Sequence, residues 1–108
     1  MNEMLIVTTE TVAGKDILEV KGLVRGSTIR SKNIGRDIGS ALKGLVGGEL
    51  NSYNEMLTEA RQIAIGRMVE DAKEKGANAI VGLRLMSASV MSGAAEMVAY
   101  GTAVVIND

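Results

Sequence analysis

Between Val46 and Gly82 the chain reads VGGELNSYNEMLTEARQIAIGRMVEDAKEKGANAIVG: a glycine pair, a long helical stretch, a glycine stop and the start of a buried strand. Tyr53, Leu57, Ala60, Ala64, Met68 and Ala72 recur at helical spacing, Met56 and Ile63 widen one side of that row, and Ile65 and Val69 spread apolar surface to the other. Ser52 and Glu55 read as a capping box, Lys73 and Lys75 complement the dipole of the last turn, and Gly76 supplies the stop. A helix over 53–75 is about 35 Å long at about 1.5 Å per residue. Its apolar stripe is too broad for one sheet face, which predicts contact with a second helix or another subunit.

Upstream, Leu5 to Thr9 is short and β-branched and reads as a strand near a sheet edge. Residues 16–25 alternate, with Leu18, Val20, Gly22 and Val24 on one face and Glu19, Lys21, Leu23 and Arg25 on the other. Gly22 and Gly26 mark a bulge or a close backbone approach, since glycine otherwise only weakens a strand. Over 33–46 the spacing of Ile34, Ile38, Leu42 and Leu45 predicts a first helix that Gly47 and Gly48 end; Gly35, Gly39 and Gly44 leave it dependent on packing.

Downstream, 78–90 and 95–106 read as a hairpin turning at Ser92 and Gly93. Its second strand sets Ala95, Met97, Ala99, Gly101, Ala103 and Val105 on a small-residue face where a helix can lie closely. In its first strand Val81, Leu83 and Leu85 oppose Ile80, Gly82, Arg84 and Met86. The sum is an α+β subunit of order ββααββ, an antiparallel sheet covered on one face by two helices. One face is left bare, and a homo-oligomer interface is its expected cover.

The 108 residues suit a single domain over 1–108, large enough to bury roughly two-thirds of the unfolded surface. Twelve basic against thirteen acidic residues give a net charge of −1, and Tyr53 and Tyr100 are the only aromatics. Neither a phosphate-binding footprint nor a base-stacking platform is present, so no nucleic-acid partner is expected. No apolar run nears the ~20 residues that cross a bilayer, and the first residues lack a secretory n-region, so neither membrane nor export is expected. Absence of cysteine fits a reducing, cytoplasmic setting. Absence of histidine and cysteine excludes Ser-His-Asp and Cys-His nucleophile systems and histidine–cysteine zinc sites.

Four candidate sites remain, each with a plainer reading beside it. Gly47 and Gly48 before a helix N-terminus offer amides to an anion, yet no phosphate-loop motif accompanies them and Glu49 opposes the charge. Met86, Met91 and Met97 around the hairpin are weak candidates for a soft-metal thioether site; methionine is more often core filler. Arg36, Asp37, Glu55, Glu59 and Arg61 can line a polar groove for a small anion or a hard cation, or form an ordinary solvated face. Asp37, Glu55 or Glu59 as a hydrolase or transferase acid lacks a nucleophile at recognisable spacing, so no enzyme is expected and no catalytic residue is named.

Asn33-Ile34-x-Arg36-Asp37, Val46-Gly47-Gly48, Tyr53, Ala60-Arg61, the string from Gly76 to Gly82 and Gly101-Thr102-Ala103-Val104 together resemble the YbjQ-like family of small prokaryotic proteins. The resemblance implies α+β subunits assembling into ring-shaped pentamers, no enzymatic activity, and a heavy-metal-binding role inferred by structural analogy, with a metal ion as possible cofactor and the chain itself as partner. Where members of that family often carry an alternating Asp-x-Asp-Tyr-Glu pattern after the glycine-bounded string, this chain has Arg84, Leu85, Met86, Ser87 and Ala88. Those positions supply no carboxylate, and Arg84 repels a cation. The expectation is a homo-oligomeric ligand- or metal-binding module; the alternatives are a pentameric ring binding a small anionic ligand near Arg36, Arg61 or Gly47-Gly48, and a structural assembly protein without metal.

Overall fold

The computed structural model describes residues 3–31, 48–91 and 94–108. Its elements are strand β1 (Leu5–Ile6), strand β2 (Ile17–Ser31), helix α1 (Gly48–Glu74), strand β3 (Ala79–Met91) and strand β4 (Ala94–Ile106). They form one four-stranded sheet of order β1-β3-β4-β2, with α1 packed on one face. The helix predicted over 33–46 and the turn at Ser92 and Gly93 lie outside the described residues.

The sheet is mixed, which corrects the antiparallel expectation. β3 and β4 pair antiparallel, as do β2 and β4, but β1 runs parallel to β3 through Leu5 opposite Ala79 and Ile6 opposite Ile80. The first two strands therefore sit on opposite edges, and 7–16 must cross between them. Val7 and Val12 of that crossing, with Ile17 at the start of β2, pack half-buried against Ala79, Val81, Val104 and Ile106, so the chain itself covers part of the second sheet face.

On the helix face, Ala60, Ala64, Met68 and Ala72 meet Val24, Ile80, Met97, Ala99 and Ala103 in the main core. Small residues on both sides let the helix settle close to the sheet. Among the described residues α1 extends back to Gly48, so Ser52 lies inside the helix, which corrects the capping box: Glu49 and Leu50 propagate a helix well, and extending one costs far less than nucleating it.

The string from Gly76 to Gly82 has a structural task at almost every position. Gly76 (φ 80°) closes α1, its N–H bonding the Lys73 carbonyl while the Ala77 N–H bonds that of Ala72, a Schellman pattern. The Asn78 amide then donates to the Ile106 carbonyl at 2.9 Å and accepts the Ile106 N–H at 2.8 Å, so a side chain takes the place of a ladder residue. Ala79, Ile80 and Val81 enter the two cores, and Gly82 (φ 66°) forms a bulge.

Bulges in β2 and β3 break the alternation read from the sequence. In β2, register shifts between Ile17 and Glu19 and between Val20 and Gly22 (φ 112°) leave Leu18 and Val20 each 64% exposed while Val24 is fully buried. In β3, Val81 lies opposite Thr102 and Arg84 opposite Tyr100, three residues spanning two. Leu83 thereby joins Ile80 on the helix face, and Arg84 turns to the face that carries Val81.

Candidate functional site

The two bulges flank a single level of the central strand. Gly22 lies opposite Ala103 on one side, and Gly82 follows Val81, opposite Thr102, on the other. Neither glycine has another group where a Cβ would stand. Bulges bend strands and re-aim side chains, and here a cleft of about 410 Å³ opens on the face away from α1. Ile17, Val20, Val81 and Val104 supply its apolar wall, and Glu10, Arg84 and Thr102 its polar groups. The cleft is shallow and open to solvent, with polar and apolar lining in similar measure.

Arg84 is fixed in this cleft by backbone. Its Nη1 donates to the Thr8 carbonyl at 3.2 Å and to its neighbour Leu83 at 2.8 Å. Among the described residues no carboxylate pairs with it within 4.0 Å. A guanidinium carries five donors, so two bonds to carbonyls orient it without neutralising its charge or filling its donor set. The arrangement suits a planar carboxylate or a phosphate oxygen pair.

The sites expected from sequence are scattered by comparison. Arg36, Asp37 and Gly47 lie outside the described residues, and Gly48 is the first residue of α1. Arg61 donates to Thr58 Oγ1 at 3.1 Å along the same helix. Glu55 and Glu59 flank Thr58 on an open polar groove with Asn54 and Gln62, which is the solvated helix face of the plainer reading. Met86 and Met97 sit on opposite faces of the sheet: Met86 lies opposite Val98 and is 55% exposed, whereas Met97 lies opposite Ser87 and is buried in the core. One chain cannot bring these two thioethers to one ion. Met91 ends β3.

The donor set gives a heavy metal little else. The chain has no histidine or cysteine, and among the described residues no group of three or more carboxylates could hold an ion. The described residues of this chain therefore do not fit a heavy-metal centre. Among them, no helix is long and apolar enough to cross a membrane.

Sequence reading missed the cleft because unbroken alternation places Arg84 beside Ile80 and Gly82 on the helix face. Gly82, in a strand interior two residues before the arginine, is the signal that could have found it.

The family model described as "Putative heavy-metal-binding", of the YbjQ type, matches residues 4–107. A UPF0145 protein of Clostridioides difficile (strain 630) is 74% identical over 105 residues, covering 97% of this chain and 94% of that protein. One from Methanosarcina acetivorans is 57% identical over 103 residues, covering 95% and 97%. A crystal structure of a protein of unknown function in the DUF74 family from Pediococcus pentosaceus superposes with a TM-score of 0.61 at 20% identity, covering 96% of this chain and 98% of its own; it supports the fold alone. Near-complete coverage by the family model and by close relatives leaves one assignment: the chain belongs to the YbjQ, or UPF0145, family.

Proposed function

We propose that the chain is a cytoplasmic, homo-oligomeric module that binds a small organic anion in the cleft between the Gly22 and Gly82 bulges. The observation that carries it is Arg84, which lines this cleft, is held by two backbone carbonyls and has no carboxylate within 4.0 Å among the described residues. The apolar wall calls for a ligand with a hydrocarbon or ring body. Glu10 in the same lining disfavours a second negative charge, so the ligand class is a monoanion such as a small carboxylate.

Assembly is supported by exposed apolar surface. Leu23, Ile29 and Met86, 68%, 60% and 55% exposed, stand on the sheet face away from α1, where none of the described residues covers them. A ring of five copies is the form the family resemblance implies.

Thermal melts with a panel of monocarboxylates and phosphomonoesters, beside Cu(I), Zn(II), Ni(II) and Cd(II), test the ligand class, since a ligand that binds only the folded state raises Tm. A rise with one anion class that Arg84→Gln abolishes and Arg84→Lys weakens is expected. No anion response, or a response that survives Arg84→Gln, overturns the site; a response to metal alone returns the function to metal binding through donors elsewhere or shared between copies. Light scattering that reports 11.3 kDa at micromolar concentration overturns the assembly.

A further inference from the structure

Resting on the anion-binding reading of the cleft, we propose that its ligand is a zwitterion of the amino-acid class, with its carboxylate at Arg84, its ammonium at Glu10 and an aliphatic body against Ile17, Val20, Val81 and Val104.

The Gly82 bulge brings both charges to this cleft. By adding a residue to β3 it turns Arg84 to the face away from α1, and its own N–H bonds the Thr9 carbonyl at 2.8 Å, which fixes the chain one residue before Glu10. The carbonyl before that, of Thr8, accepts from Arg84 itself at 3.2 Å. Beyond Glu10, the Thr9 hydroxyl donates to the Thr11 carbonyl at 2.6 Å, and Val12 packs on Val81 and Val104 with the rest of the second core. Glu10 is thus carried on a short turn tied at one end to the strand that bears the arginine and packed at the other on the same sheet face.

The two charges line one cleft and do not meet. No contact within 4.0 Å joins them, and among the described residues neither has another ion-pair partner. Direct pairing of exposed groups would gain little, so a ligand entering between them has little to displace. Arg84 offers a carboxylate its remaining donors, and the Glu10 carboxylate offers acceptors alone, which a primary ammonium with its three donors satisfies. A monocarboxylate without an ammonium leaves Glu10 unanswered and close to like charge.

The rest of the lining narrows the class. Its apolar residues are aliphatic and no aromatic ring is among them, so a quaternary ammonium finds no cation–π cage. Thr102 adds a hydroxyl that can serve either charged end of the ligand. A lining polar and apolar in similar measure matches a ligand that is itself charged at one end and hydrocarbon at the other. Because the cleft is open to solvent, the ammonium keeps part of its hydration, and Glu10 sets selectivity more than affinity.

Calorimetric titration of the full chain tests this with leucine, its deaminated counterpart isocaproate and its decarboxylated counterpart isoamylamine. In wild type, leucine should bind about three- to tenfold more tightly than isocaproate, the margin of a solvent-exposed ion pair. Glu10→Gln should erase that preference by weakening leucine while leaving isocaproate unchanged or tighter, and Arg84→Gln should weaken both acids. Isocaproate binding as tightly as leucine in wild type, or a leucine preference that survives Glu10→Gln, overturns the zwitterion and leaves the anion reading standing. No binding of either acid, or isoamylamine binding as tightly as leucine, overturns the zwitterion and the anion reading together.

Discussion

Gly26 of β2 lies directly beneath Ala64 of α1, so close that a Cβ on Gly26 would overlap the Ala64 carbonyl oxygen and the Met68 amide nitrogen. The obstacle is helix backbone rather than the end of a flexible side chain. Gly26→Ala should therefore cost about 3 kcal/mol, the upper part of the range for overpacking, because α1 must lift from the sheet or β2 must bend. Urea unfolding checks it through a lowered midpoint at unchanged m-value. Gly66→Ala, on the same helix with open space around it, serves as the contrast and should be neutral or slightly stabilising.

Close approach at Gly26 and a bulge at Gly22 are both legible in the sequence, because glycine inside a strand has few other uses. The alanine row of α1 and the small face of β4 are legible for a related reason: a 3.6-residue and a 2-residue period of small side chains fit each other. What alternation could not show is phase. A single extra residue at Gly82 exchanges the faces of Leu83 and Arg84, and no local propensity distinguishes the bulged strand from the regular one. The parallel placement of β1 was equally hidden, since Leu5 and Ile6 pair with residues more than seventy positions away.

The Gly82 bulge is open to substitution in space but not in conformation. With φ at 66°, Gly82→Val should cost about 2 kcal/mol from the left-handed backbone alone, while Gly82→Asn, which tolerates that region, should cost less than about 1 kcal/mol. The anion-dependent rise in Tm should persist in Gly82→Asn and disappear in Gly82→Val if valine restores regular alternation and turns Arg84 away from the cleft. Chemical denaturation and the ligand melts read the two effects separately.

Asp71 ties the β2 edge to pH. The hydrogen bond from Lys75 Nζ at 2.8 Å, helped by the Arg25 N–H, holds its carboxyl below the usual value of 3.8 against the opposing pull of desolvation. A carboxyl depressed in the folded state adds stability that is fully present above its unfolded pKa and lost as pH falls through its folded pKa. Wild type should therefore exceed Asp71→Asn in stability at neutral pH, and the difference should vanish as pH falls below 3.8 and through the lowered pKa of Asp71. Asparagine keeps an acceptor for the Arg25 N–H, so the difference isolates the charge. Guanidinium is unsuitable for this comparison because its salt screens the pair; urea titrations at several pH values are the measurement.

Met97 and Met86 separate packing from metal chemistry. Met97 is 5% exposed within the core, so Met97→Ala should cost about 2–5 kcal/mol, whereas Met86→Ala should change the stability of the isolated chain by less than about 0.5 kcal/mol. Because the two thioethers face opposite sides of the sheet, a soft-metal site in one chain cannot lose affinity equally through both changes. Calorimetric titration of Cu(I) into each variant, alongside its urea curve, decides this. Equal loss in a folded Met86→Ala and a folded Met97→Ala would require thioethers from neighbouring copies to meet, and would move the metal question to the contact between them.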